Sequence, residues 1–181
     1  RKMQKPTRHP CVSVFLFLII TSGCVWLERS SGIPYASLES TVTALSEESR
    51  GLLDVSLPAC VRASDAFEIA YVTRVIDGDS IAVELNGKSE QVRYVGINAP
   101  EYDGGEWKEA EQATQLNRDL VEGRYVLLIK DVSERDKYGR LLRYVFTGTH
   151  FVNYELVRQG VAEAREYPPD TACQPYFQQA E

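Results

Sequence analysis

Apolar and polar residues alternate along Phe67, Ile69, Tyr71 and Thr73 and again along Ile81, Val83 and Leu85, the period-two pattern of strands. Asp77-Gly78-Asp79 between them is a turn sequence, so the two runs read as a hairpin. Asn86-Gly87 is a strong two-residue turn leading to a third strand through Val92 and Tyr94. The period then changes: Trp107, Ala110, Ala113, Leu116, Leu120 and Val121 recur at helical spacing, and Gly123 lies near the expected helix end. Strands follow at Tyr125–Ile129 and Leu141–Phe146, then a second helix from about Phe151 to Gln159 closed by Gly160. Thr171-Ala172-Cys173-Gln174 has the form of a capping box, with Pro175 in the first turn of a further helix. The order predicts an α+β fold with a five-stranded β-barrel and supporting helices.

The front of the chain follows another pattern. Arg1, Lys2, Lys5 and Arg8 precede an apolar run from Val12 to Ile20, then Thr21-Ser22-Gly23-Cys24. The run is shorter than the roughly 20 residues a spanning helix needs. Residues 1–24 therefore read as a signal peptide with a lipobox-like end, Cys24 being the lipidation site and Thr21 standing where leucine is usual. The expected location is outside the cytoplasm, as a cell-envelope lipoprotein or a secreted protein. Met3 is an alternative start. Residues 25–64 are rich in Ser, Glu, Leu and Gly without sustained periodicity and read as a flexible linker, with the domain at 65–181.

At 181 residues and 44% hydrophobic content the chain can bury one core. From residue 65 onward it carries 21 acids against 13 Lys and Arg. So acidic a domain argues against a broad nucleic-acid coat and for local phosphate contacts in a cleft. Of the four cysteines, Cys11 and Cys24 belong to the export segment. Cys60 and Cys173 remain, and one disulfide between them is the simplest outcome in an exported chain. A zinc site on that pair is disfavoured, because zinc takes four ligands and His9 and His150 lie elsewhere.

Four short stretches carry a common charge logic: Ile76-Asp77-Gly78-Asp79-Ser80, Arg93, Asn98-Ala99-Pro100-Glu101, and Asp136-Lys137-Tyr138-Gly139-Arg140. Each alone is ordinary. Together, acids beside two spaced arginines suit phosphodiester cleavage, which needs an activated water and positive charge on the phosphoryl oxygens. In order, spacing and neighbours they resemble the staphylococcal nuclease (thermonuclease) family, from about Phe67 to the end of the chain. The resemblance implies closure of the strands as an oligonucleotide-binding (OB) barrel. It implies a calcium ion held by Asp79, Asn98 and the Ala99 carbonyl, with Asp77 as an acid just beyond the ligands. The family more often has aspartate where Asn98 stands, so one negative charge is gone and weaker or altered metal binding is expected.

By the same resemblance Glu101 is the general base or water orienter, and Arg93 and Arg140 grip the scissile phosphate. Lys137 and Tyr138 contact the nucleotide. Glu166 and Pro168 replace base-stacking tyrosines of the family, with Tyr167 a partial substitute. The expected activity is metal-dependent endonucleolytic hydrolysis of DNA and RNA with little sequence specificity, leaving 3′-phosphate ends, by a monomer. In the family a longer C-terminal helix packs on the barrel, so the resemblance implies that the helix here is truncated. The competing reading is a binding module on the same barrel, without catalysis.

Overall fold

The computed structural model describes residues 51, 52, 54–61, 67–105 and 107–181. The signal segment, Cys24 and most of the linker lie outside the described residues. Strands β1 (Phe67–Asp77), β2 (Ser80–Leu85) and β3 (Lys88–Tyr94) lead to a two-residue strand β4 (Ile97–Asn98), a 3-10 turn at Tyr102–Gly104 and helix α1 (Trp107–Val121). Strands β5 (Tyr125–Ile129) and β6 (Leu141–Phe146), helix α2 (Val152–Arg158), a short β7 (Glu163–Ala164) and helix α3 (Gln174–Gln178) complete the chain.

Five strands close on themselves in the order β1-β2-β3-β6-β5. All neighbours are antiparallel except β3 and β6, which run parallel with Arg93 opposite Leu142. This closed mixed barrel with a few helices is α+β and fits the OB-like architecture. Asn86 and Gly87 both have positive φ, 53° and 74°, as the type I′ hairpin turn requires. The β4–β7 ribbon stands outside the barrel and was not foreseen from the sequence.

The first strand is where expected, but its inward phase is the other one. Ala70 and Val72 are buried, whereas Phe67 and Tyr71 are exposed. The alternation is kept, but on this strand the smaller residues take the buried positions. Register shifts between Val72 and Arg74 and again before Asp77 then re-aim the strand so that Val75 is buried. Ile81, Val83 and Leu85 of β2 point inward, as their alternation predicts.

On α1 the buried stripe is Ala110, Ala113, Thr114, Asn117 and Val121. Trp107, expected on that stripe, is exposed and meets Tyr102 edge-on at 5.5 Å. Small residues on the stripe let the helix approach the barrel closely. The proposed capping box is not formed: Cys173 is the N-cap of α3 and makes no side-chain cap bond. Gln174, which would have reached back, is buried instead, and its backbone N–H donates to the Thr171 carbonyl in a preceding turn.

Residues 51–61, which composition assigns to the linker, contribute Leu52 and Val61 to the core. Cys60 is joined to Cys173 by a disulfide across 113 residues. This staple secures the segment just before α3 to the N-terminal edge of the domain.

Candidate active site

The turn between β1 and β2 sits directly on α1, and its sequence explains why. A Cβ at Gly78 would lie 2.5 Å from the Ala99 Cβ and 2.6 Å from the Ala113 Cβ, so only glycine permits this approach. Asn117 of α1, fully buried, donates to the Asp77 carbonyl at 2.9 Å and accepts from the Tyr94 hydroxyl at 2.8 Å. One amide therefore ties the turn, the helix and β3 together. Within the turn, the Asp79 N–H donates to Asp77 Oδ1 at 3.0 Å. Asp79 is thereby buried at 2% exposure in the floor of the site.

Its carboxylate is heavily used. Oδ1 accepts from the Ser80 hydroxyl at 3.1 Å, and Oδ2 accepts from the Ala99 N–H at 2.7 Å and pairs with Arg93 Nη2 at 3.0 Å. Burial pushes the Asp79 carboxyl up to about 6, with Arg93 pulling it back and Asp77 adding to the rise. Arg93 satisfies several acceptors at once. Nη1 donates to the carbonyls of Tyr94 and Ile97 at 2.9 and 3.0 Å, and Nη2 donates to Asn98 Oδ1 at 3.2 Å. The loop supplying those carbonyls turns at Gly96, with φ 79° and with Phe177 so close that a Cβ would lie 2.5 Å from its ring.

Tyr167 closes over this group. Its hydroxyl donates to Asn98 Oδ1 at 3.1 Å, and the guanidiniums of Arg93 and Arg165 lie 5.9 and 6.0 Å from its ring centre. A ring so engaged steadies Arg93 and Asn98. The sequence marks Tyr167 only as a partial substitute for stacking residues, and gives no sign of Arg165.

The opposite wall is the loop carrying Asp136 to Arg140. Asp136 Oδ1 accepts the backbone N–H groups of Tyr138 and Arg140, both at 2.9 Å, while Oδ2 takes Arg140 Nε at 2.7 Å. Burial raises the Asp136 carboxyl, but the Arg140 bond and the two N–H donors outweigh it and hold it below the ordinary range. Lys137 Nζ and the Arg140 guanidinium lie 4.9 and 5.5 Å from the Tyr138 ring centre, and that ring is 72% exposed. The wall is anchored from behind by Asp170, a buried residue that the sequence did not single out. Its Oδ1 accepts the N–H groups of Val132 and Ser133 at 2.9 and 2.7 Å.

Between floor and wall lies a cleft of about 570 Å³ lined by Arg93, Asn98, Glu101, Lys137, Tyr138 and Arg140 among others. Six residues picked from the sequence thus meet on one cavity. Asp79 and Ala99 lie beneath it, both buried, and Asp77 lies in the turn behind Asp79. Among the described residues no group of three or more His, Cys, Asp and Glu side chains converges.

Comparison with known proteins agrees with this geometry. The family model described as staphylococcal nuclease homologue matches residues 91–181, a stretch that includes Arg93, Asn98, Ala99, Glu101 and Arg140. A thermonuclease of Staphylococcus hyicus is 34% identical over 122 residues, covering 65% of this chain and 72% of that protein. A thermonuclease of Staphylococcus intermedius is 34% identical over 117 residues, 63% of this chain and 70% of the other. The endonuclease YncB of Bacillus subtilis is 39% identical over 103 residues, 54% of this chain and 49% of that one. With the closed mixed barrel and the paired arginines already in place, the match over half its length assigns this chain to the staphylococcal nuclease homologue family.

Proposed function

We propose that the protein is a divalent-cation-dependent endonuclease that hydrolyses phosphodiester bonds in DNA and RNA with low sequence specificity and leaves 3′-phosphate ends. The observation that carries this reading is the convergence of Arg93, Glu101 and Arg140 on one cleft. The names of the relatives, thermonuclease and endonuclease, support the same reaction class.

The donor set suits a hard cation, being made only of oxygen: the Asp79 carboxylate, Asn98 Oδ1 and the Ala99 carbonyl. Asp79 and Asn98 both reach one cationic nitrogen, Arg93 Nη2, at 3.0 and 3.2 Å. Arg93 Nη2 thus brings the two oxygens to one place, and a cation would bind them on displacing that contact. When bound there, calcium or another divalent cation supplies charge beside the phosphate and makes bound water more acidic. Asn98 brings no charge to that set, in keeping with weaker affinity or altered preference.

Arg140, and Arg93 on exchanging partners that it holds within the fold, act on the substrate as planar forks that bind phosphoryl oxygens and stay charged at any working pH. They face the negative charge that develops on phosphorus oxygens. Glu101, exposed on the cleft, orients the attacking water or accepts its proton. Tyr138 offers an open ring face to a base or sugar, and Lys137 a nearby phosphate contact. The Cys60–Cys173 bond supports an oxidising compartment, consistent with export through the basic and apolar N-terminal segment and with a lipid anchor on Cys24.

Hydrolysis of single-stranded DNA, duplex DNA and RNA, in calcium, magnesium or chelator, tests this reading. Cutting is expected with a divalent cation and absent in chelator. Glu101→Gln is expected to lose about a hundredfold or more in rate while still binding oligonucleotide. No cutting by the folded protein in any cation would overturn the enzyme reading and leave the barrel as a binding module.

A further inference from the structure

Arg135 lies in the loop one residue before Asp136, outside the cleft, and is the centre of a clamp that ties this loop to β3. Its guanidinium forks onto Glu90 of β3, Nη1 to Oε2 at 2.8 Å and Nη2 to Oε1 at 3.0 Å. The same Nη1 donates to the Gly139 carbonyl at 2.7 Å. That carbonyl belongs to the peptide unit leading into Arg140, and the N–H of the same unit donates to Asp136 Oδ1 at 2.9 Å. Both ends of the Gly139–Arg140 peptide are therefore pinned, one by Arg135 and the other by Asp136. The backbone closes the loop with Asp136 N–H to the Arg140 carbonyl at 3.0 Å and a bridge between Arg135 and Leu141. The Gly139 N–H adds a bond to the Asp136 carbonyl at 3.0 Å, and because the Gly139–Arg140 unit is planar, Arg135 and Asp136 hold one plane from its two sides.

We propose that Arg135, steered by Glu90, is a positioning residue for Arg140. It transmits the placement of β3, which also carries Arg93, to the second arginine, and so sets the spacing at which the two forks meet one phosphate. An exposed ion pair is ordinarily worth little. This one matters because the fork is bidentate and its third contact is a carbonyl adjoining a functional side chain. A shift of about 1 Å in such a group costs up to about a hundredfold in rate. The inference rests on the reading of Arg140 as a phosphate-gripping group.

The test compares wild type, Arg135→Ala, and the reciprocal pair Glu90→Arg with Arg135→Glu, which restores opposite charges but places no donor near the Gly139 carbonyl. Three quantities are read: Tm, exchange of the Tyr138 and Arg140 amide hydrogens, and kcat and KM on a single-stranded oligodeoxynucleotide with divalent cation. Arg135→Ala is expected to speed amide exchange and to lower kcat, each about tenfold, with KM within about twofold. The reciprocal pair is expected to regain Tm but neither kcat nor amide protection. Recovery of kcat and protection along with Tm would show the ion pair to be structural only and overturn the proposal, as would unchanged exchange in Arg135→Ala. If wild type itself cleaves nothing, the nuclease reading fails, and amide exchange alone then decides whether Arg135 places the loop.

Discussion

The two arginines on the cleft are held by opposite strategies. Arg93 projects from a barrel strand, its side chain 11% exposed, with two backbone carbonyls, an amide oxygen and a buried carboxylate around it. Arg140 projects from a surface loop, its side chain 27% exposed, and it meets the Asp136 carboxylate and the exposed ring of Tyr138. The floor is rigid because it is buried and its polar atoms are committed to one another. The wall is held by charged contacts at the surface. One arginine is thus part of the fold and the other is presented by it.

Removing each arginine is the sharpest way to break the comparison. Arg93→Ala and Arg140→Ala are each expected to lower kcat/KM about a thousandfold, read by oligonucleotide hydrolysis. Their stabilities should part: Arg93→Ala leaves Asp79 buried without its partner and loses about 3 to 5 kcal/mol in urea unfolding, whereas Arg140→Ala changes stability by about 1 kcal/mol or less. Equal destabilisation would erase the distinction between floor and wall.

Reduction of the disulfide acts on the wall side. Cys173 follows Asp170 and Ala172, which bond to the segment from Asp131 to Ser133 behind the loop. Opening a loop of 113 residues is expected to lower stability by about 4 to 5 kcal/mol on chain-entropy grounds. Thermal unfolding with and without reductant measures it. Amides of 131–133 should lose protection before those of Asp77–Ser80, and the reverse order would contradict the assignment of the staple to the wall.

The smallest effect expected is with pH. Asp136 is held below its ordinary 3.8, so its contribution is present above that value and is lost as pH falls through the lower folded-state value. Exchange of the Tyr138 and Arg140 amides should quicken in acid below about pH 4 relative to the Tyr94 amide on the floor. A wall that keeps its protection there would mean that Asp136 does not hold it.

Much of this was legible in the sequence because it is local. Alternation marked the strands, Asn86-Gly87 marked the hairpin, helical spacing marked α1 and Gly160 marked the end of α2, each signal lying within a few residues of its consequence. The motif residues could be read in order by family resemblance, and six of them meet on the cleft. What escaped was long-range or depended on phase. Glu90 and Arg135 are 45 residues apart, and Asn98 and Tyr167 are 69 apart, so no periodicity relates either pair. The alternation of β1 did not say which phase faces in, and Gln174 is buried rather than reaching back to cap α3. Asn117 looked like any polar residue on a helix until the turn and β3 were placed against it.

The parallel pairing of β3 with β6 has a kinetic consequence. A hairpin can join antiparallel neighbours, but a parallel pair needs a long crossover, here the stretch containing α1 and β5. The meander from β1 to β3 thus brings Asp79 and Arg93 together early and locally, without Arg140. The second arginine joins them only when β3 pairs with β6, Val92 meeting Leu141 from far along the chain, whereas Ser80 and Arg93 pair within one hairpin. Bringing Arg140 beside Arg93 therefore requires the closed barrel: a chain whose β3–β6 seam is open holds the floor of the cleft without its opposite wall.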